Sequence, residues 1–173
     1  MSEAIRIRSA NRDDLEHLCA IELAAATLFP ADRLPDPNAT CPEDTLRRAL
    51  SAGLLFVAVS AGRVCGFAVC EQADGHLHLH EVSVHPSHGK RGIGKALVLR
   101  VIEEARGGSL AGVTLTTFSD FAWNAPFYQK LGFEQGAAGC LPEHVRKQLD
   151  SEEQRGMINR SGMMYMHDRS SFV

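Results

Sequence analysis

Apolar and polar residues alternate in short runs through much of the first half of the chain and switch to helical spacing after residue 92. Residues 4–8 alternate apolar and charged positions, the pattern of a half-buried strand. Asn11 or Asp13 stands where a helix over about 13–26 needs its cap, with Leu15, Leu18 and Leu23 on its apolar side. Pro30, Pro35, Pro37 and Pro42 break up residues 29–42. That stretch reads as a loop, and long loops in compact domains often form a substrate wall. Pro42 opens a second helix that runs to Leu50.

Residues 54–60 and 64–71 read as strands around a hairpin turn, Ala61-Gly62-Arg63, and 76–85 as a third strand closing a meander. The period then changes, with Leu97, Val101 and Ala105 sharing one face of a helix over 92–106. A β-branched strand at 113–117, a short helix at 126–131 ended by Gly132, and a strand from Phe133 follow. A polar helix over 142–155 and a last strand at 162–167 complete the chain. The order is βααβββαβαβ(α)β. Hairpin strands followed by a crossover helix predict an α/β (α+β mixed) fold: a single central mixed, mostly antiparallel sheet of six to seven strands with helices on both faces. With no repeat, low-complexity tract or linker, residues 1–173 read as one domain.

Composition changes this picture in two ways. Net charge is −3 and the sequence pI near 6.2, so no bulk positive field argues for nucleic acid, and any anion site must be local. The five cysteines, Cys19, Cys41, Cys65, Cys70 and Cys140, form no CxxC pair and are odd in number. That pattern fits a reduced, cytoplasmic chain better than a disulfide framework. The opening MSEAIRIRSA lacks the apolar core of a signal peptide, and no stretch reaches the ~18 apolar residues of a membrane span. An exposed strand at 163–166 would give the chain a route to a homodimer.

The strongest chemistry lies at His85-Pro86-Ser87-His88-Gly89-Lys90-Arg91-Gly92-Ile93-Gly94-Lys95-Ala96-Leu97. A strand ends, a loop with three glycines and three basic residues follows, and a helix begins. Glycines let main-chain N–H groups turn toward a ligand, the helix start adds partial positive charge, and Lys90, Arg91 and Lys95 add full charges. This is a recipe for a pyrophosphate. A Walker loop fits until Ala96, which has no hydroxyl for a magnesium ion. A dinucleotide fingerprint fits until Leu97, where the third glycine belongs. An acyl-coenzyme A loop needs only two close glycines, as at Gly92 and Gly94. The plain alternative is a glycine turn that caps a helix.

Glu81-Val82-Ser83-Val84-His85-Pro86 with Arg91-Gly92-Ile93-Gly94-Lys95-Ala96-Leu97 resembles the cofactor motif of the GNAT superfamily of N-acetyltransferases. Phe127-Tyr128-Gln129-Lys130-Leu131-Gly132-Phe133 resembles that family's second hallmark, FYxxLGF. The two blocks stand in the family's order and spacing, and the resemblance covers about residues 4–135. It implies a sheet splayed at the fourth strand, acetyl-CoA (coenzyme A) as cofactor, and direct acyl transfer to a primary amine of a small molecule or protein. The rival is an acyl-CoA sensor without chemistry. Two departures stand out. Gly89 occupies a position where the family usually has Gln or Arg, and Asn124 sits one turn before Tyr128, where the family's Asn is about two turns before its tyrosine.

The resemblance assigns roles. Cofactor contacts fall to Val82, Ser83, Val84, Gly89, Lys90, Arg91, Gly92, Ile93, Gly94 and Lys95, with Asn124 and Tyr128 from the second block. Amides of residues 82–84 would meet the oxyanion, Tyr128 would protonate the leaving sulfur, and Glu81 would take the ammonium proton, with His80 or a water relay as its competitors. Each has a plainer reading beside it: Tyr128 as a core ring, Glu81 as a paired surface carboxylate, Asn124 as the cap of the helix opened by Pro126. His76, His78 and His80 alternate along one strand and so face one way. No cysteine or carboxylate completes a zinc site there, so no metal is expected, and the stripe reads as solvated or substrate-lining. Asp120 and Trp123 lie just before the tyrosine helix, as acceptor contacts or as packing. No cysteine lies in either motif, which speaks against a covalent acyl-enzyme.

Overall fold

The structure, a computed structural model, describes residues 4–168. Seven strands, β1 (Arg6–Ser9), β2 (Leu55–Ser60), β3 (Arg63–Ala73), β4 (His76–Val84), β5 (Gly112–Phe118), β6 (Glu134–Gln135) and β7 (Arg160–Met166), join five helices. These are α1 (Leu15–Ala26), α2 (Glu43–Ala52), α3 (Ile93–Gly107), α4 (Ala125–Lys130) and α5 (Glu143–Gln154). The strands hydrogen-bond in the order β1-β2-β3-β4-β5-β7-β6 as one mixed sheet. By contacts the chain divides into two compact units: residues up to Glu71 with Leu79–Val101, and Gln72–His78 with the chain from Ile102 onward.

In the first unit, β1, β2 and β3 form an antiparallel meander. The turn between β2 and β3 is shorter than expected, Ala61-Gly62 alone, with φ of 50° and 74°. Two left-handed residues match the right-handed twist of the strands that follow. Leu18 and Ile21 of α1 and Leu46 and Ala49 of α2 bury against Leu55, Val57, Phe67 and Val69, and this pairing is the unit's core. The start of α1 is fixed by a short 3-10 turn, in which Asn11 and Asp14 cap each other. Arg8 grips Asp14 with two bonds of 2.7 and 2.9 Å.

In the second unit, β4 pairs parallel with β5 at Leu77↔Val113 and His78↔Thr114. This register lies at the start of β4, and the strand runs on to Val84. The next strand, β7, runs antiparallel to β5 over seven residue pairs and also pairs with β6. Met163 and Met164 are therefore not on an exposed edge: both are buried, with β5 on one side and β6 on the other, while Tyr165 and Met166 are half-buried. α5 packs Val145 on Leu141 and Met164.

α5 begins at Pro142 without a capping side chain of its own chain neighbourhood. Asp74, in the β3–β4 turn, supplies the cap from a distance: its Oδ2 accepts the His144 main-chain N–H at 2.9 Å. Glu152, 3% exposed, is held by Arg160 at 2.8 and 3.1 Å, by Thr116 at 2.7 Å and by Gln148 at 3.0 Å. Burial alone would raise its carboxyl, but the bonds and charge of Arg160, with those of Thr116 and Gln148, hold it below the usual range.

Candidate active site

β4 leads through a short 3-10 turn, Pro86–His88, into a loop whose main chain is left-handed at Lys90 (φ 59°) and Gly92 (φ 75°). Only glycine enters that region without strain, which is what Gly92 contributes. Its carbonyl accepts the Ala96 N–H at 3.0 Å, so Gly92 stands at the N-cap of α3. The first main-chain N–H groups of a helix lack partners within the helix. Here they open beside Lys90, Arg91 and Lys95, all exposed, while Ile93, Leu97 and Val98 anchor the helix by burial. Main-chain amides and three cations thus stand together at residues 89–95, an arrangement chemically suited to an anion. His85 and Ser87 brace its approach: the Ser87 N–H donates to His85 Nδ1 at 3.2 Å, and the Ser87 hydroxyl lies 2.7 Å from the same nitrogen.

On β4 itself, Ser83 is buried and donates its hydroxyl to Glu81 Oε1 at 2.8 Å, so this carboxylate is half-buried with a fixed partner. Val82 and Val84 are half-buried. Gly66 of β3 lets this segment come close, since a methyl there would lie 3.0 Å from the Ser83 carbonyl and 3.4 Å from Ile93. The competing base, His80, pairs with Glu71 at 3.3 Å.

The histidine stripe is not one solvated face. His78 is buried, with Nδ1 2.9 Å from the Thr114 hydroxyl, which lies 2.7 Å from His144 Nε2. His144 Nδ1 meets Asp74 at 2.8 Å. The ionised carboxylate can only accept, so His144 Nδ1 carries a proton toward Asp74, and the Thr114 hydroxyl bridges the His144 and His78 rings. Alternation predicted a shared face. It did not show that β5 and α5 would bring Thr114 and His144 to it. Among the described residues no group of three or more His, Cys, Asp or Glu is arranged to hold a metal ion.

In the second unit, Asn124 stands at the N-cap of α4, where its carbonyl accepts the Tyr128 N–H at 3.1 Å, but its side chain makes no capping bond. Its Nδ2 donates to Thr117 Oγ1 at 3.0 Å, and its Oδ1 is buried without a hydrogen-bond partner among the described residues. The expected cap position is thus occupied, with a buried side-chain acceptor left over. Tyr128 is 7% exposed, with its ring edge-on to Phe127 and Phe133. Trp123 is 49% exposed and stacks on Phe121 at 5.0 Å, and Asp120 accepts from Asn159 Nδ2 at 2.9 Å. Trp123 is therefore not a buried anchor.

No motif or spacing pointed to Glu22. This α1 carboxylate accepts the Cys41 N–H at 2.9 Å, and burial raises it above the usual range. Burial, then the charges of Glu22 and Glu81, push the Cys41 thiol up to about 12. A thiol so held is protonated at neutral pH and is a poor nucleophile.

Fold and site together define a class, an open mixed sheet whose fourth strand feeds a basic, left-handed glycine turn at the head of a helix. The model of the acetyltransferase (GNAT) family matches residues 21–133, and the chain belongs to that family. A mycothiol acetyltransferase of Nocardiopsis dassonvillei is 39% identical over 98 residues, which are 54% of this chain and 29% of that protein. The chain thus spans under a third of that relative's length. N-acetylglutamate synthase of Neisseria gonorrhoeae, solved with coenzyme A and N-acetyl-glutamate, superposes with a TM-score of 0.74 at 17% identity, over 98% of this chain and 36% of that one. The PaiA N-acetyltransferase of Thermoplasma acidophilum, in complex with coenzyme A, gives 0.68 at 15%, over 95% and 99%. At such identities the likeness is one of fold.

Proposed function

We propose that residues 1–173 work as a single acetyltransferase domain that moves an acetyl group from acetyl-CoA directly to a primary amine of a small molecule or protein. The observation that carries this reading is the left-handed turn at Lys90 and Gly92, set at the head of α3 in a chain of this family. Amides of residues 89–95, with Lys90, Arg91 and Lys95, hold the pyrophosphate of coenzyme A. Main chain of Val82, Ser83 and Val84 receives the thioester arm and the oxyanion. Asn124 Oδ1, buried and unsatisfied, accepts an N–H of the cofactor.

Chemistry then needs two protons removed from nitrogen and one supplied to sulfur. Glu81 takes the first proton of the attacking ammonium. The amine nitrogen adds to the thioester carbonyl, the C–S bond breaks, Tyr128 protonates the leaving thiolate, and the second nitrogen proton returns to the Tyr128 oxygen as the neutral amide forms. A raised Cys41 thiol fits direct attack rather than an acyl-cysteine. Five free cysteines support a reducing, cytoplasmic setting, and among the described residues no helix is long and apolar enough to cross a membrane. Thiol release from acetyl-CoA with a panel of amines tests the reading. Amine-dependent release supports it, whereas CoA binding with no release for any amine leaves a sensor.

A further inference from the structure

The loop of residues 27–42 is tied to α1 at its far end. Glu22 Oε2 accepts the Cys41 N–H at 2.9 Å, and Cys19 Sγ lies 3.9 Å from the Thr40 hydroxyl beside it. Glu22 and Glu81 both bear on the Cys41 thiol, with Arg48 of α2 opposing them. A half-buried carboxylate on α1, the end of the loop and the β4 carboxylate thus belong to one neighbourhood inside the first unit.

We propose that Glu22 is a positioning and specificity residue for the acceptor: it fixes the loop end at Cys41 and, with Glu81, makes the acceptor wall negative, so that the amine is selected as its ammonium. The inference rests on the acetyl-transfer reading with Glu81 as base. Burial raises Glu22, and burial first, then the charges of Glu22 and Glu81, raises Cys41, as expected where negative charges share a poorly solvated spot. An arriving ammonium relieves that crowding, and Glu81 then takes its proton. Arg48, on α2, is the cation that limits the field.

Alkylation of Cys41 by iodoacetamide on the full chain, read peptide by peptide in a mass spectrometer, tests this without turnover. Glu22→Gln keeps an oxygen for the Cys41 amide and removes the charge, and Glu22→Ala removes both. Cys41 should react faster in Glu22→Gln than in the wild type, and faster again in Glu22→Ala, where the loop end is released. n-Butylamine, an ammonium at neutral pH, should slow the reaction several-fold in the wild type and not in Glu22→Gln, and n-butanol should slow it in neither. Equal protection of the two proteins by butylamine, or no protection of the wild type, overturns the proposal. With a turned-over amine, Glu22→Gln should raise KM for the amine and leave KM for acetyl-CoA alone. A thermal shift with coenzyme A separates the two levels. No shift in the wild type defeats the acetyl-transfer reading, and a shift kept in all three proteins with failed protection defeats only the role of Glu22.

Discussion

Tyr128 and Glu81 carry the proton transfers proposed here, and each can be changed without disturbing its packing. Tyr128→Phe keeps the ring between Phe127 and Phe133 and deletes only the hydroxyl. It should lower kcat by about 10²- to 10⁴-fold and leave the Kd for coenzyme A unchanged. A full kcat would end the acid assignment. Glu81→Gln keeps an acceptor for the Ser83 hydroxyl and cannot take a proton, so kcat/KM should fall across the pH range while folding survives. At this scale the sequence named the residues and missed their partners. Asn124 was legible as a polar residue ahead of Tyr128. Its bond to Thr117 was not, because that bond depends on where β5 ends. Glu22 was invisible for a similar reason, since one carboxylate on a helix says nothing until a loop folds back to it.

The turn at the head of α3 depends on backbone geometry more than on side chains. An added methyl at Gly92 meets nothing within 4 Å, so Gly92→Ala is penalised by its φ of 75° alone. That strain is about 1–2 kcal/mol, enough to weaken coenzyme A binding roughly tenfold by calorimetry while α3 remains intact. An unchanged Kd would mean that the turn does not hold the ligand. Elements were legible where period and punctuation agree. The apolar run at 54–60, the β-branched run at 113–117 and the Gly132 stop all fell within a residue or two of the observed bounds. The pairing of Met163 and Met164 on both sides was not legible, because strand order is a long-range property. Nothing local tells β7 that β5 and β6 will pair with it on either side.

Across the whole molecule, stability toward acid follows from carboxylates held below their usual range. Asp14, through Arg8, and Glu152, through Arg160, are two such groups. A depressed folded pKa stabilises fully above the unfolded value, and that stability is lost as pH falls through the folded one. The share of the unfolding free energy that these two groups contribute, read from urea titrations of the wild type against variants lacking them, should therefore be level above about pH 5 and fall below about pH 4. Arg160→Met alone strands a buried carboxylate and should cost about 3–5 kcal/mol, while pairing it with Glu152→Met should recover most of the loss. A single mutant as stable as the wild type would refute that account of the pair. The central claim is that the turn at 89–95 grips coenzyme A. Calorimetric titration of coenzyme A into the wild type and into Lys90→Glu with Arg91→Glu addresses it most directly. The account predicts one bound coenzyme A per chain and an affinity at least roughly tenfold weaker in the charge-reversed protein. No binding to the wild type, or equal affinity in both with ATP bound as tightly, would contradict it.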